Sequence, residues 1–588
     1  MMKGAPMTII KDLLEEISQK KMTETINWLT QNTPYRLSGS GDDLEASKYI
    51  TEKMREYGLE VMNEEFYTYN SEPRYSKVKI LSPIEKEVDS LPFAHIKSTS
   101  KKGEVFELVY VGTGSYDAYK GINAKGKVVL VEVTYAPPVP EKARIAHEMG
   151  AAGIICMNWG NDEEVICNRG LKSVWGNPTE ETIGKIPDIV GVGITRNAGL
   201  QLKDLYLKGE KVRVKITAIS SRKWGKIRQP KGLLRGNEKS DQFILVSSHL
   251  DAWKPGVTCN ATGNATTLEI CRVLSKHREM INRNIYFTFW NGHEVAEAAG
   301  STWFLDNYWD LINKNCIGYI HIDSTGVSQT KIFEIKSSDE LLDFSIDNFR
   351  SIMGEEKIRT MALKKIGDQS FMGIGIPSVT QRMSFTEDDM EESNGATLGW
   401  WNHTKDDSLD KCNLETLLID TKITLSLIYK LATVELLPYN LNKMIFNIRD
   451  RVSKLSETYA KHLSFNDIIN NLTVIENDII KIQNKKESTT RELVEQYNLL
   501  LMSITRILTN VFQTYADKYQ QDSYGHTRLS YEIPLFADLE RIDNIESRDS
   551  LEYGMLQTQL VKNKNRINDS LKMLIDLINL YKIVFKID

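Results

Sequence analysis

The sequence predicts an α/β protein whose sheet is covered by helices and followed by a helical C-terminal part. From "DQFILVSSHLDAW" at Asp241 to about residue 437, strand-like and helix-like segments alternate, which is typical of such a sheet. Before it, residues 96–222 carry short β-branched runs such as "KGKVVLVEV" and "GAAGIICMN", separated by turns, which indicates a smaller α/β insert. After residue 437, apolar residues recur at helical spacing, so a helical domain is expected over residues 438–588.

Length, charge and hydropathy limit the function classes. The chain has 588 residues, 41% of them hydrophobic, which suffices for about two to four packed domains. Its 74 basic and 79 acidic residues are well mixed and leave a net charge of −5, so nucleic acid is not an expected partner. No run of eighteen apolar residues occurs, and the N-terminal segment lacks a signal-peptide core. We therefore expect a soluble, cytoplasmic protein without a membrane partner.

The six cysteines form no CxxC pair and no framework at short spacing. In a reducing compartment most of them are expected to be buried thiols that act as small apolar residues. These are Cys156, Cys167, Cys271, Cys316 and Cys412. Cys259 is the exception, because it shares a segment with candidate metal ligands.

Three apolar runs in the alternating region end in residues that can bind a metal ion. "FILVSSHLD" ends at His249 and Asp251, "NIYFTFWNGHE" ends at His293 and Glu294, and "CIGYIHID" ends at Asp323. In open α/β sheets, ligands collect at the carboxyl ends of strands, so we expect these endings to share one site.

His403, in the loop "LGWWNHTKDDS", is a fourth candidate. A single histidine at a strand end is more often structural than functional. Carboxylates within apolar runs are costly to bury without a partner, so several such positions together favour a bound cation. Imidazoles and carboxylates are usual ligands of zinc and related metals, and zinc is the predicted cofactor.

This order of motifs resembles the zinc aminopeptidase family that includes glutamate carboxypeptidase II and, as a non-enzymatic relative, the transferrin receptor. "TPYRLSGSGDDLEASKYITEKMREYGL", which predicts a loop, a helix and then a short strand, is similar to the N-terminal segment of that family. "GKVVLVEV" and "GAAGIICMN" resemble its protease-associated domain, and "LPYNLNKM" resembles the start of its helical dimerisation domain.

The resemblance implies a zinc-aminopeptidase-like mixed sheet covered by helices, with an α/β insert and a C-terminal helical domain. The implied domains are the N-terminal part of a peptidase-like domain at 1–95, the protease-associated insert at 96–222, the metal-site domain at 223–437 and the dimerisation domain at 438–588. A homodimer through residues 438–588 is therefore expected.

The family's two-metal site carries over onto this sequence in part. His249 and Asp323 would hold the first metal, and Glu294 and His403 would hold the second. Asp251 matches an aspartate that orients a ligand without touching the metal.

Two positions depart from the family pattern. The bridging aspartate, ten residues after the first histidine, is Cys259 here, and the general-base glutamate is His293. The segment "VAEAAGS" is one residue longer than the usual pattern, which makes Glu297 a candidate substitute ligand. A thiolate can bridge two metals and favours zinc, but one zinc ion held by His249, Cys259 and Asp323 is the simpler outcome. We expect one or two zinc ions per chain.

The favoured function is hydrolysis of an amide or peptide bond in a small substrate, with His293 as the general base. This requires a neutral His293 with a lowered pKa, because a cationic imidazole is repelled by a metal ion. By resemblance, Asp368 and Gln369 face the cleft as substrate contacts. Trp400 and Trp401 either form an apolar wall for a substrate side chain or belong to the core.

Two other functions stay open. A thiolate beside an imidazole is the arrangement of a covalent hydrolase, which Cys259 and His293 could form, although nearby carboxylates raise the pKa of a thiol. Alternatively, the chain is an inactive binding or scaffold homodimer, since the bridging ligand and the base are both replaced. The retention of His249, Asp251, Glu294, Asp323, His403 and Asp407 in one chain favours the hydrolase.

Overall fold

The computed structural model describes residues 7–161, 164–237, 241–363, 365–484, 491–523 and 532–587. Its strands are β1 (Glu60–Ser82), β2 (Lys86–Val88), β3 (Ser90–Pro92), β4 (Glu104–Tyr110), β5 (Val128–Glu132), β6 (Gly153–Met157), β7 (Val190–Ile194), β8 (Arg213–Leu234), β9 (Phe243–His249), β10 (Asn284–Trp290), β11 (Cys316–His321), β12 (Ile332–Ser337), β13 (Ile358–Ala362) and β14 (Ser378–Ser384). Its helices are α1 (Met7–Glu15), α2 (Gln19–Asn32), α3 (Asp42–Glu56), α4 (Val139–Glu148), α5 (Arg196–Leu207), α6 (Thr262–Lys276), α7 (Ala299–Asn307), α8 (Trp309–Asn315), α9 (Asp339–Met353), α10 (Glu387–Glu392), α11 (Leu414–Thr433), α12 (Leu441–Tyr459), α13 (Asn466–Asn484), α14 (Arg491–Phe512), α15 (Leu539–Asp543) and α16 (Leu551–Phe585).

Twelve of the strands follow one another in a single path of mixed direction, in the order β13-β12-β14-β11-β9-β10-β8-β4-β5-β6-β7-β3, and β1 and β2 lie off this path. In its centre β14, β11, β9 and β10 run parallel, whereas β12 and β8 are antiparallel to their neighbours in this group. All seven residues of β9 are buried, because helices cover both faces of a parallel sheet. The predicted mixed α/β sheet with an insert and a helical C-terminal region is confirmed.

β1 and β8 form a long antiparallel pair that joins the main sheet to the insert. The strand expected to be short after Gly58 is in fact β1, which has 23 residues, so that expectation was wrong. β8 pairs with β4 at one end and with β10 at the other, and it therefore crosses the predicted domain boundary at residue 222. A strand pattern of alternating burial carries no signal for such a shared element.

The insert places β4, β5, β6 and β7 in parallel, with α4 and α5 packed against them. Its apolar residues form a core of their own, which includes all of Val128–Val131. Because the insert has this separate core, short β-branched runs with turns between them predicted it as a separate α/β unit.

The C-terminal region consists of α12 to α16, and its apolar stripes join the core of the main domain. Tyr497, Leu500 and Ile504 on α14, and Leu571 and Leu574 on α16, are buried in the same cluster as the main sheet. The helical spacing of these residues therefore predicted the packing correctly. Within the described residues, none of the helices combines the length and the apolar character needed to cross a membrane.

Candidate metal centre and active site

The carboxyl ends of β9, β10 and β11 meet at one edge of the sheet. Register places His249 beside Trp290, three residues before His293, and places His321 beside Ser247. The parallel direction of these strands is the reason that motifs far apart in sequence converge here.

Asp251 fixes the turn that follows β10. Its two carboxylate oxygens accept hydrogen bonds from the backbone N–H groups of His293 and Glu294, each at 3.0 Å. Burial raises the pKa of Asp251 to about 6, although the neighbouring histidines His249 and His293 oppose this shift. Asp251 thus orients both members of the His293–Glu294 pair, as expected for a residue that positions ligands.

Cys259 lies in a tight turn, Val257–Ala261, that is held from two sides. Asp407 accepts hydrogen bonds from the backbone N–H groups of Thr258 at 2.9 Å and of Cys259 at 3.1 Å. Arg36, which is fully buried, donates to the carbonyl oxygens of Leu250, Pro255 and Gly256 in the preceding loop. These contacts fix the thiol at the strand ends.

The thiol of Cys259 lies at the centre of the candidate ligands. Its Sγ atom is 3.6 Å from His249 Nε2, 3.7 Å from Glu294 Oε1 and 3.4 Å from His403 Nε2. Asp323 Oδ1 is 3.3 Å from His249 Nε2, and Glu294 Oε1 is 3.2 Å from His403 Nε2. The ligand atoms of one tetrahedral zinc ion, bonded at ~2.0–2.3 Å, lie about 3.3–3.6 Å apart. The spacing and the donor types therefore fit zinc.

Only one group of three candidate ligands is compact enough for a single ion in the part of the chain that the structure describes. It consists of His249, Cys259 and Glu294, whose ligand atoms all lie within 4.8 Å of one another. Although burial alone would raise the pKa of Glu294, the charges of His403, His293 and His249 lower it to about 2. Glu294 is therefore a carboxylate at neutral pH.

The pair of Cys259 and His293 is not formed. The partners of the Cys259 thiol are His249, Glu294 and His403, whereas the His293 ring is bonded to Asp368. Burial, with the carboxylates Glu294 and Asp323, raises the pKa of Cys259 well above the ordinary value, which opposes a free thiolate. These contacts therefore do not support Cys259 and His293 as a nucleophile and its base.

His293 is held by two contacts. Its Nδ1 atom donates a hydrogen bond to Asp368 Oδ2 at 3.0 Å, and its ring stacks on that of His249 with 3.9 Å between the centroids. Burial lowers the pKa of His293, but Asp368, Glu294 and Asp251 together raise it well above the ordinary value. The expected lowered pKa was therefore wrong, because the sequence did not show that Asp368 lies against this ring.

The site lies at the base of a cavity of about 340 Å³ between the main sheet and the insert. Among the residues that line it are Cys259, His293, Glu294, Asp323 and His403. Tyr135 and Pro138 of the insert close one side, and Met361 and Leu363 of the β13 segment contribute apolar surface. A mostly apolar pocket with a few convergent polar groups is typical of a small-molecule site.

The residues expected to contact substrate divide into two groups. Gln369 lines the cavity. Glu297, which was a candidate substitute metal ligand, also lines it, but the compact ligand group contains Glu294. Asp368 does not face it: its carboxylate is fully buried and accepts hydrogen bonds from His293 and Ser301. It supports His293 instead.

Trp400 and Trp401 are not among the residues that line this cavity, so the apolar wall is not formed. Trp401 is buried in a small cluster with Val327 and Phe385, and Trp400 packs against it at 82°. Of the two interpretations of this pair, the core interpretation is the correct one.

Two residues of the site were missed from the sequence. Arg169, in the insert, lines the cavity and donates from Nη1 to His403 Nδ1 at 2.9 Å. His321, two residues before Asp323, also lines the cavity, and its Nε2 atom lies 3.9 Å from Asp368 Oδ2. The histidine within "IHID" was a signal for the second, whereas nothing in "CNRGLKS" indicated the first.

Comparison with known proteins agrees with this fold. Residues 232–428 match Peptidase family M28, and residues 104–202 match the PA domain. The chain thus contains an M28 peptidase domain and, within the predicted insert, a PA domain. The aminopeptidase from Aneurinibacillus sp. strain AM-1 superposes with a TM-score of 0.54 at 22% identity, over 72% of this chain and 96% of that one, which shows a shared fold.

Two curated relatives belong to the branch that the motifs indicated. Transferrin receptor protein 1 of Gallus gallus is 25% identical over 375 residues, which is 54% of this chain and 47% of that protein. The probable glutamate carboxypeptidase VP8 of Zea mays is 23% identical over 342 residues, or 49% of this chain and 48% of that protein. The chain spans about half the length of these relatives.

Proposed function

We propose that the protein is a zinc-dependent hydrolase of an amide or peptide bond in a small substrate. The observation that carries the proposal is the position of Cys259 Sγ, 3.4–3.7 Å from His249, Glu294 and His403 at the base of a cavity. A zinc ion would be held by the compact group His249, Cys259 and Glu294. Asp323, which the sequence placed in this set, has Oδ1 3.3 Å from His249 Nε2 and is a further candidate ligand. When bound, the ion supplies Lewis acidity for the attacking water and the scissile carbonyl.

His293 is the proton-transfer group of the proposed reaction. Because Nδ1 donates to Asp368, Nε2 is the ring nitrogen available to the cavity. Asp368, Glu294 and Asp251 favour a protonated His293 in the metal-free site, whereas a bound cation would oppose that charge. Once unprotonated, Nε2 would accept a proton from water as the C–O bond forms and return it to the leaving amine as the C–N bond breaks. One water is consumed, and an acid and an amine are released.

The first test measures zinc and hydrolysis together in wild-type protein and in two matched serine variants. Cys259→Ser removes the central thiol, whereas Cys271→Ser removes a buried thiol within α6. Protein purified without chelators would be measured by elemental analysis and assayed on a panel of aminoacyl amides and small peptides. We expect zinc and turnover in wild type and Cys271→Ser, and loss of both in Cys259→Ser.

Other outcomes decide against parts of the proposal. Unchanged zinc in Cys259→Ser would remove Cys259 from the ligand set. A wild-type protein with neither zinc nor turnover would favour the binding or scaffold function.

A homodimer through residues 438–588 is part of the proposal. Support comes from apolar side chains on α16 that are more than half exposed in the single chain: Leu551, Met555, Met573, Leu580 and Ile583. Such exposure marks a surface for another protein. Light scattering should give the mass of two chains, and Leu580→Glu with Ile583→Glu should give one. A cytoplasmic location stays a prediction.

A further inference from the structure

His249 and His403 lie on either side of Cys259 and differ in the hydrogen-bond partner of Nδ1, which is an acceptor for His249 and a donor for His403. His249 Nδ1 is 2.8 Å from the backbone oxygen of Asp251. A carbonyl oxygen only accepts, so Nδ1 of His249 carries a proton and Nε2 is the ring nitrogen that can ligate a metal. Nε2 faces Cys259 Sγ at 3.6 Å and Asp323 Oδ1 at 3.3 Å. A carboxylate only accepts, so in the metal-free site a proton on Nε2 bonds Asp323, and a metal ion would displace that proton. The Nδ1 contact therefore holds His249 in the orientation in which Nε2 binds a metal.

His403 has the opposite kind of partner at Nδ1, a donor instead of an acceptor. Its Nδ1 atom is 2.9 Å from Nη1 of Arg169, and a guanidinium has donors only, so Nδ1 must accept. A neutral His403 then carries its proton on Nε2, where it donates to Glu294 Oε1 at 3.2 Å. The backbone oxygen of Asn168 is also near Nδ1, at 3.3 Å, and would be the acceptor only if Arg169 moved away.

Arg169 is built into this position. It is 9% exposed, its guanidinium carbon lies 5.0 Å from the Trp159 ring centroid and 5.7 Å from that of Tyr135, and Nη2 reaches Asn402 Oδ1 at 3.5 Å. Stacking on aromatic faces stabilises a buried guanidinium. A fixed positive charge thus stands beside Glu294 and His403, where the resemblance placed a second metal.

We propose that the Arg169 guanidinium takes the place of a second cation, so that the site binds a single metal ion on the His249 side. Arg169 opposes a second metal ion in two ways. It holds His403 in the tautomer whose Nε2 carries a proton and cannot ligate a metal, and its positive charge repels another cation. This inference rests on the proposed zinc site and assigns its stoichiometry to one residue of the PA domain.

The test compares the zinc content of wild type, Arg169→Met and Arg196→Met. Arg196 is a matched control, because it is a buried arginine of the same insert whose guanidinium bonds Asn158 and Asn394 instead of a site histidine. Each protein would be saturated with zinc, desalted and measured per chain, with folding checked by circular dichroism. We expect one ion in wild type and Arg196→Met, and two in Arg169→Met.

The outcomes separate this inference from the proposed function. Two ions in wild type, or one ion in folded Arg169→Met, would overturn the role of Arg169 and leave a zinc hydrolase standing. A rise to two in Arg196→Met as well would also overturn it, because the effect would not be specific. No zinc in wild type would overturn both.

A second measurement does not depend on the folding of a variant. The chain has nine histidines, so wild-type protein labelled with ¹⁵N in histidine gives few ring signals, which single substitutions assign. In chelator-treated protein we expect His249 to be protonated at Nδ1 and His403 at Nε2. A His403 protonated at Nδ1 would contradict the inference.

Discussion

The two sides of Cys259 are built by different means. On the strand side, His249, His293 and Asp323 follow the parallel strands β9, β10 and β11, and sheet register brings them together. On the loop side, His403 and Arg169 come from connecting segments 234 positions apart. These segments meet through the Arg169–His403 side-chain contact and through a backbone hydrogen bond from Asn168 N–H to the His403 carbonyl oxygen. The comparison teaches that two histidines at similar distances from one thiol, 3.6 and 3.4 Å, can have different functions when Nδ1 of each ring has a different partner.

The largest expected effect is a difference between the two histidines as ligands. His249→Ala removes a ring nitrogen that faces the metal position directly. Zinc affinity should therefore fall by more than the ~10–100-fold that the loss of an outer partner costs. His403→Ala should retain about one zinc ion per chain. Elemental analysis of both variants checks this prediction. Equal zinc loss in the two would contradict the claim that His249 binds the metal and His403 does not.

A substitution of His293 tests the proposed proton transfer on the strand side separately from metal binding. His293→Ala should lower kcat by about 10²–10⁴-fold, the usual contribution of a general base, and leave zinc bound. His462→Ala is the control, since His462 bonds Tyr553 and Asp543 in the C-terminal region. Steady-state kinetics beside zinc analysis give the result, and a normal kcat in His293→Ala would refute the base assignment.

A substitution of Asp407 tests whether its hydrogen bonds to the turn around Cys259 position the thiol for zinc. Asp407→Asn places an amide hydrogen opposite the N–H groups of Thr258 or Cys259, so zinc affinity should fall about 10–100-fold. Asp420→Asn is the matched control, because Asp420 is also buried and accepts the N–H groups of Gly326 and Met383. Competition with a chromophoric chelator measures the zinc affinity of both variants. An equal fall in affinity would show that the effect comes from a general loss of protein stability.

The smallest expected effect is a shift in pH dependence. His293 acts as a base only when Nε2 is unprotonated, so the rate should fall as the pH drops through its pKa, which Asp368 helps to raise. Asp368→Asn removes that charge and should move this limb of the kcat/KM profile to lower pH. Ser301→Ala keeps the carboxylate and should leave the limb near its wild-type position. A limb that stays fixed or moves to higher pH in Asp368→Asn would contradict the coupling.

The fold was largely predictable because its signals are local. Helical spacing marked α14 and α16, and apolar runs that end in His249, Glu294 and Asp323 marked the strand ends. The long pair of β1 and β8 was not predictable, because the same alternation continues through two domains. Trp400 and Trp401 show the same limit, since an aromatic pair in a polar loop has the same sequence whether it faces a cavity or the core.

The sequence by itself determined the residue types of this site: a thiol, imidazoles and carboxylates placed after strands that run in parallel. Only the tertiary structure decided which ring nitrogen of each histidine holds the proton, that Asp368 lies behind His293, and that Arg169 occupies the loop side. The physical reason is that periodicity encodes burial, whereas a tautomer is set by one hydrogen bond. For His403 and Arg169 the partners of that bond are 234 residues apart.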